Sequence, residues 1–157
     1  MSRLNPPYDV LYIDCPWPFR VYSKDTGHGR SAESHYGTME WEDMFNLPIR
    51  DLLTPNGVAF VWTTNSSTHE ALDMMRWGWE LEFVTKAFTW AKVTKSGKDH
   101  FGMGYTTRQN TETLWLFKKP GGQPYYPDRA VREYQEASIE WEIDSNIDML
   151  NKVLVTE

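Results

Sequence analysis

The sequence predicts an α/β fold, and three observations carry that expectation. First, Tyr8 to Ile13 is a short run rich in β-branched and aromatic residues; it ends at Asp14 and is stopped by Pro16 and Pro18, as a buried strand would be. Second, further apolar runs at 57–63, 79–90 and 113–117 alternate with stretches that carry helix caps and helical spacing. Third, 157 residues with 40% hydrophobic content suffice for one substantial core, so a single domain over 1–157 is expected. Strands alternating with helices imply a layered βα-type sheet.

Taken in order, the first strand is followed by 19–34, polar and glycine-containing without any period, which reads as a mobile surface loop. Thr38 is placed to cap a short helix through Glu40, Trp41, Glu42, Asp43, Met44 and Phe45, whose acids suit a first turn. Leu47-Pro48-Ile49 ends it, and Pro55-Asn56-Gly57 reads as a tight turn before the second strand, Gly57 to Thr63. Asn65-Ser66-Ser67-Thr68 supplies caps for a helix from about Thr68 to Trp77, stopped by Gly78. Trp79 to Trp90 reads as one long strand or two. Lys92 to Met103 then reads as a loop, and Thr113 to Phe117 as a strand closed by Lys118-Lys119-Pro120-Gly121-Gly122. From Val131 onward the pattern is mixed and acidic, with a helix expected near 146–152 and a last apolar trio, Val153 to Val155.

Composition narrows the function classes. A net charge of −6 rules out a chain that is basic throughout, so any contact with nucleic acid has to be local. Two local basic stretches qualify, Arg20 to Arg30 and Lys86 to Arg108. Eight Trp and eight Tyr supply core mass and can also stack on bases. No apolar run is long enough to span a membrane, and the first residues lack the apolar core of a signal peptide. The lone Cys15 cannot form an internal disulfide, which fits a cytoplasmic protein. His28, His35, His69 and His100 show no metal-ligand spacing, so no metal is expected.

Ligands of open α/β sheets bind at the carboxyl ends of strands. That places Asp14, the Cys15 carbonyl and the Trp17 ring at a candidate site, with a plain proline-capped strand and a core Trp17 as the alternative. Asp-Cys-Pro-Trp is followed in order by His35-Tyr36-Gly37-Thr38-Met39, a strand ending Val61-Trp62-Thr63-Thr64, and the segment from Gly102 to Glu112. These blocks, in this order over roughly Tyr8 to Gly122, resemble the MT-A (seventy-kilodalton) family of adenine-N(6) methyltransferases. The resemblance implies a Rossmann-like methyltransferase sheet of permuted order and S-adenosylmethionine as cofactor. It implies transfer of a methyl group to the exocyclic amine of adenine in nucleic acid, with DNA placed ahead of RNA.

Carried over residue by residue, the resemblance puts Asp14, Cys15, Pro16 and Trp17 in the catalytic tip, and Ile13 and Asp14 against the cofactor. Tyr36 is expected to close over the base; Trp62, Thr63, Arg108, Asn110 and Glu112 would shape the substrate side. The chemistry fits the tip independently. The adenine amine is a poor nucleophile because its lone pair is delocalised into the ring. A carboxylate and a carbonyl that hold its two N–H groups strengthen as positive charge develops on nitrogen. Trp17 is expected to stack on the flipped base.

Departures from the family pattern are equally specific. Cys15 replaces a proline. Glu140-Trp141-Glu142-Ile143-Asp144 stands where relatives carry His-Ser-X-Lys-Pro, acidic where a lysine is expected to face the cofactor carboxylate. The C-terminal cofactor block is expected to be abbreviated, with weak cofactor binding and an under-covered sheet edge that invites a partner chain or self-association. Two rivals to the enzyme reading follow: a non-catalytic methyltransferase-like subunit, and a thiol enzyme built on Cys15.

Overall fold

The computed structural model describes residues 6–18, 38–100, 102, 104, 106–126 and 130–138. The expected loop at 19–34, the helix near 146–152, the trio Val153 to Val155, the Glu140 to Asp144 stretch and Tyr36 all lie outside those residues.

Five strands form one mixed sheet: β1 (Tyr8–Asp14), β2 (Leu53–Thr64), β3 (Glu82–Val93), β4 (Thr111–Lys118) and β5 (Tyr134–Ser138). Their spatial order is β1-β2-β4-β3-β5. β1 pairs parallel to β2, β4 runs antiparallel to both β2 and β3, and β5 pairs parallel to β3. Four strands therefore point their carboxyl ends the same way and only β4 opposes them. β2 is buried along most of its length, which is why Val58 to Thr63 reads as a continuous apolar run instead of an alternating one.

The two short helices are α1 (Trp41–Phe45) and α2 (Thr68–Asp73). α1 starts two residues later than its capping signal: Glu40, not Thr38, occupies the cap position and no side chain caps the helix. α2 continues into a wider π turn over Met74–Gly78, so helical structure fills the expected span to Trp77. Pro55-Asn56-Gly57 does not form the expected turn. A single-turn 3-10 helix at Ile49–Leu52 leads straight into β2, and the proline sits in a bulge. Between the pairs Tyr8–Leu53 and Val10–Val58, β1 advances two residues while β2 advances five. Gly57 permits this crowding, because a Cβ there would lie 2.9 Å from the Tyr8 carbonyl oxygen.

Each face of the sheet carries its own core. On one face Val61, Ala59 and Phe117 pack with Met44 of α1, Ala71 of α2, Met74, Met75 and Trp79. On the other, Phe60, Trp62, Phe88, Leu114 and Leu116 pack with Tyr12, Trp90 and Val131. Trp79 locks the helical layer, being 1% exposed and donating its indole N–H to the Met44 carbonyl at 2.7 Å. Gly78 lets α1 approach this closely. A Cβ there would meet the Phe45 ring and the Phe45 carbonyl oxygen, each at 2.8 Å. Because one of those atoms is backbone, Gly78→Ala is expected to cost about 1–3 kcal/mol through overpacking. Urea titration checks this: the midpoint should fall with an unchanged slope, and an unchanged midpoint would show that α1 is free to shift.

Candidate active site at the tip of the first strand

Asp14 is the last residue of β1 and pairs in register with Trp62 of β2, so the acid stands at the mouth between two parallel strands. The chain then turns sharply. The Trp17 N–H donates back to the Cys15 carbonyl at 2.8 Å, which occupies one lone pair of that oxygen and leaves the second for another donor. The Met39 N–H donates to the Pro16 carbonyl at 3.0 Å. The end of the Tyr36 to Met39 block is thereby brought against the Asp14 to Trp17 tip.

Trp17 is only 6% exposed; its ring lies 5.4 Å from that of Trp41, and its indole N–H donates to the Trp62 carbonyl at 3.2 Å. This corrects the expectation of an open stacking surface: Trp17 belongs to the core and ties the turn to β2. Cys15 faces the same core. Burial, with a smaller contribution from the Asp14 charge, pushes its thiol up to about 12, so it stays protonated and unreactive. Its burial in the core argues against the thiol-enzyme alternative.

Strand alternation sorts the remaining residues. Ile13 packs on the helix-bearing face. Thr63 does too: it is 1% exposed, accepts the Trp115 indole N–H at 2.9 Å and pairs its hydroxyl with that of Thr68. Its expected place lining the substrate side is therefore corrected to the core, because one step along a strand reverses the face. Trp62 lies on the face of Asp14 and Tyr12, buried, with its indole N–H donated to the Tyr12 hydroxyl. Desolvation, opposed by that hydrogen bond and reinforced by Asp14, pushes the Tyr12 phenol up to about 12.

Glu112 belongs to the same face. It stands opposite Thr64 of β2 and Trp90 of β3, and its carboxylate is ion-paired with Lys92. Lys92 was missed as a site residue; the pair is twenty residues apart in sequence and becomes visible only once β3 and β4 are placed side by side. Asn110 lies just before β4, half-buried, with its carbonyl accepting the Lys92 N–H at 2.7 Å. Arg108 is exposed in the preceding segment. That connection is more ordered than a plain loop: Thr94 and Lys98 close a turn, Val93 bridges Asp99, and Gly102 bridges Gln109. Among the described residues no cluster of His, Cys, Asp and Glu is placed to hold a metal, and no helix is long and apolar enough to cross a membrane.

Asp14 keeps solvent contact, yet the protein packed around its carboxyl raises it from 3.8 to about 6. Desolvation is the largest cause and repulsion from Glu112 the second, while Lys92 pulls it back down.

A carboxylate offered at the mouth of parallel strands, over an aromatic floor, places a hydrogen-bond acceptor where open α/β sheets bind their ligands. The chain belongs to the MT-A70 family, whose model matches residues 8–145. It is 32% identical over 120 residues to the N6-methyladenosine RNA methyltransferase MTA1 of Cryphonectria parasitica, covering 74% of this chain and 35% of that protein. It is 25% identical over 126 residues to the type II methyltransferase M.MunI of a Mycoplasma species, covering 71% and 51% respectively. A second MTA1, from Pyricularia oryzae, is 27% identical over 129 residues, with 78% and 33% covered. The matches thus span between a third and a half of these relatives' length.

Two outcomes follow from the electrostatics. Because the folded state holds the Asp14 proton more tightly than the unfolded chain, the stability contributed by Asp14 is fully present below 3.8 and is lost as pH rises through about 6. Asp14→Asn should therefore melt higher than wild type at neutral pH, with the difference closing as pH falls toward 3.8. Thermal scans across that range check it. The Cys15 thiol should resist a disulfide dye in the native protein and react promptly once urea unfolds the chain; equal rates in both states would contradict its burial.

Proposed function

We propose that this chain carries the base-holding half of an S-adenosylmethionine-dependent adenine-N(6) methyltransferase acting on nucleic acid. The observation that carries this reading is Asp14 at the parallel-strand tip beside the Cys15 carbonyl, in a chain of the MT-A70 family. An ionised Asp14 would accept one N–H of the adenine amine and the second lone pair of the Cys15 carbonyl the other. Both bonds strengthen as the nitrogen becomes cationic, so they favour the transition state over the ground state.

The residues at the tip also suit the cofactor. Asp14 supplies a negative charge that complements a cationic methyl donor, and Ile13 supplies apolar surface just behind it. The cofactor's contribution when bound is an electrophilic methyl group. This chain's own contribution is to hold the amine, fix its direction and keep an acceptor charged close by. Trp17 acts indirectly, by pinning the turn that aims the Cys15 carbonyl.

The polymer would be gripped locally, since the chain is acidic overall. Lys95, Lys98 and Arg108 sit on the connection between β3 and β4, which leaves the sheet at the same end as Asp14. DNA is the substrate to test first, because M.MunI is matched over a larger share of its length than either RNA methyltransferase.

The test is mass-spectrometric detection of methylated adenine in DNA and RNA oligonucleotides incubated with protein and S-adenosylmethionine. Asp14→Ala should lower turnover by about 10²–10³-fold while the fold persists. Full turnover by folded Asp14→Ala would sink the role given to the acid. Binding of oligonucleotides that weakens with salt but yields no product would favour the non-catalytic subunit instead. Where turnover is measured, kcat/KM should fall on the acid side with a midpoint near 6, because protonated Asp14 loses the charge that holds the amine.

A further inference from the structure

Lys92 is held more firmly than an ordinary surface lysine. Its ammonium pairs with the Glu112 carboxylate, each side chain being 24% exposed, and lies 4.8 Å from the centroid of the Trp90 ring. Trp90 is itself fixed: its indole N–H donates to the Ala137 carbonyl at 3.0 Å, and its ring meets Trp62 nearly edge-on at 6.4 Å. A charge gripped by a carboxylate and an aromatic face together has little freedom to leave.

The strand register sets this pair beside the acid. Asp14 stands opposite Trp62, Trp62 opposite Leu114, and Glu112 lies two residues from Leu114 on the same face. β1 and β4 flank β2, so their axes are about 10 Å apart, a distance at which partly desolvated charges still act on one another. Among the described residues, the titratable groups around Asp14 are Tyr12 on its own strand, Cys15 next in sequence, Lys92 from β3 and Glu112 from β4; β2 contributes the neutral Trp62. Around Asp14, among the described residues, the face thus presents two carboxylates, Asp14 and Glu112, and one ammonium, Lys92; the Lys118–Glu82 pair lies at the far end of the same face.

We propose that Lys92 is a positioning residue for methyl transfer: by holding Glu112 as an ion pair against Trp90, it shields Asp14 from a second negative charge and keeps Asp14 ionised at neutral pH. Its link to methyl transfer rests on the function proposed above; the electrostatic statement stands on the geometry. Without Lys92, Asp14 would face a bare Glu112, and two neighbouring carboxylates resist being ionised together. The acid would then hold its proton and lose its capacity to accept the amine.

The experiment follows the Asp14 carboxyl carbon by NMR in protein labelled at aspartate carboxyls, with Asp14→Asn assigning the resonance, and records the pH profile of kcat/KM in parallel. Lys92→Met, which keeps the apolar stem, should raise both midpoints by about one pH unit or more. Glu112→Gln should lower the Asp14 midpoint, and the double variant Lys92→Met/Glu112→Gln should return it toward wild type. A lowered melting temperature with an unmoved Asp14 midpoint would reduce Lys92 to a structural role and overturn the proposal. If Lys92→Met fails to fold, Glu112→Gln decides alone, and an unmoved midpoint there overturns it equally. Midpoints that shift as expected in protein without any methyl transfer would uphold the electrostatic assignment while counting against the methyltransferase reading.

Discussion

One hydrogen bond joins the chemistry to the fold: the buried indole of Trp17 donating to the carbonyl of Trp62. Asp14 lies three residues before this donor, and the acceptor is the residue paired with Asp14 across the sheet. The bond closes a small circuit of β1, the turn and β2 in which the acid has little choice of direction. Buried indole N–H groups need a partner, so releasing this one would leave a desolvated donor as well as a slack turn. The proline at position 16 and the Met39 contact reinforce the same loop, but neither spans the two strands.

Around that circuit the sheet separates two tasks by alternation. The face that meets α1 and α2 is apolar and tightly packed, and it takes Cys15, Ile13, Thr63 and the Trp17 ring. The opposite face carries the charges, laid over an aromatic floor of Tyr12, Trp62 and Trp90. Aromatic rings suit this floor. They supply burial, and their N–H groups and π faces give polar neighbours a fixed partner without adding a titratable charge. Asp14 is poised between solvent and that floor, which is why its affinity for protons differs from that of an ordinary surface aspartate.

Much of this was legible in the chain, and the failures have physical reasons. Hydrophobic runs make β1, β2 and β4 apparent, and with them the tip at Asp14 where prolines end the first. β1 is nevertheless half-buried to exposed and not the buried strand expected, because among the described residues it pairs with β2 alone. β5 was not apparent, because Tyr134 to Ser138 is a short edge strand with polar residues and little burial, and its existence depends on pairing with β3. Pro55-Asn56-Gly57 has the composition of a turn but sits in a bulge, since tertiary pairing with β1 outweighs local preference. Trp62 and Thr63 looked equivalent as site residues; strand parity alone divides them. The Lys92–Glu112 pair could not be read locally at all, because it is made by strand order and register rather than by any spacing along the sequence.

The two ends of the sheet are built differently. Away from Asp14, the chain is stitched together by close contacts: Lys119 N–H to the Gly57 carbonyl, the Lys119 ammonium to the Leu53 carbonyl, Gln123 N–H to the Asn56 side chain, and Lys118 to Glu82. At the Asp14 end lie the carboxyl ends of β1, β2, β3 and β5, because those four strands share a direction. Such a division lets evolution rewrite the connections around the acid while the sewn end preserves the register of the strands. A connection of different length at that rim would leave the strand register, and with it the placement of Asp14 opposite Trp62, unchanged.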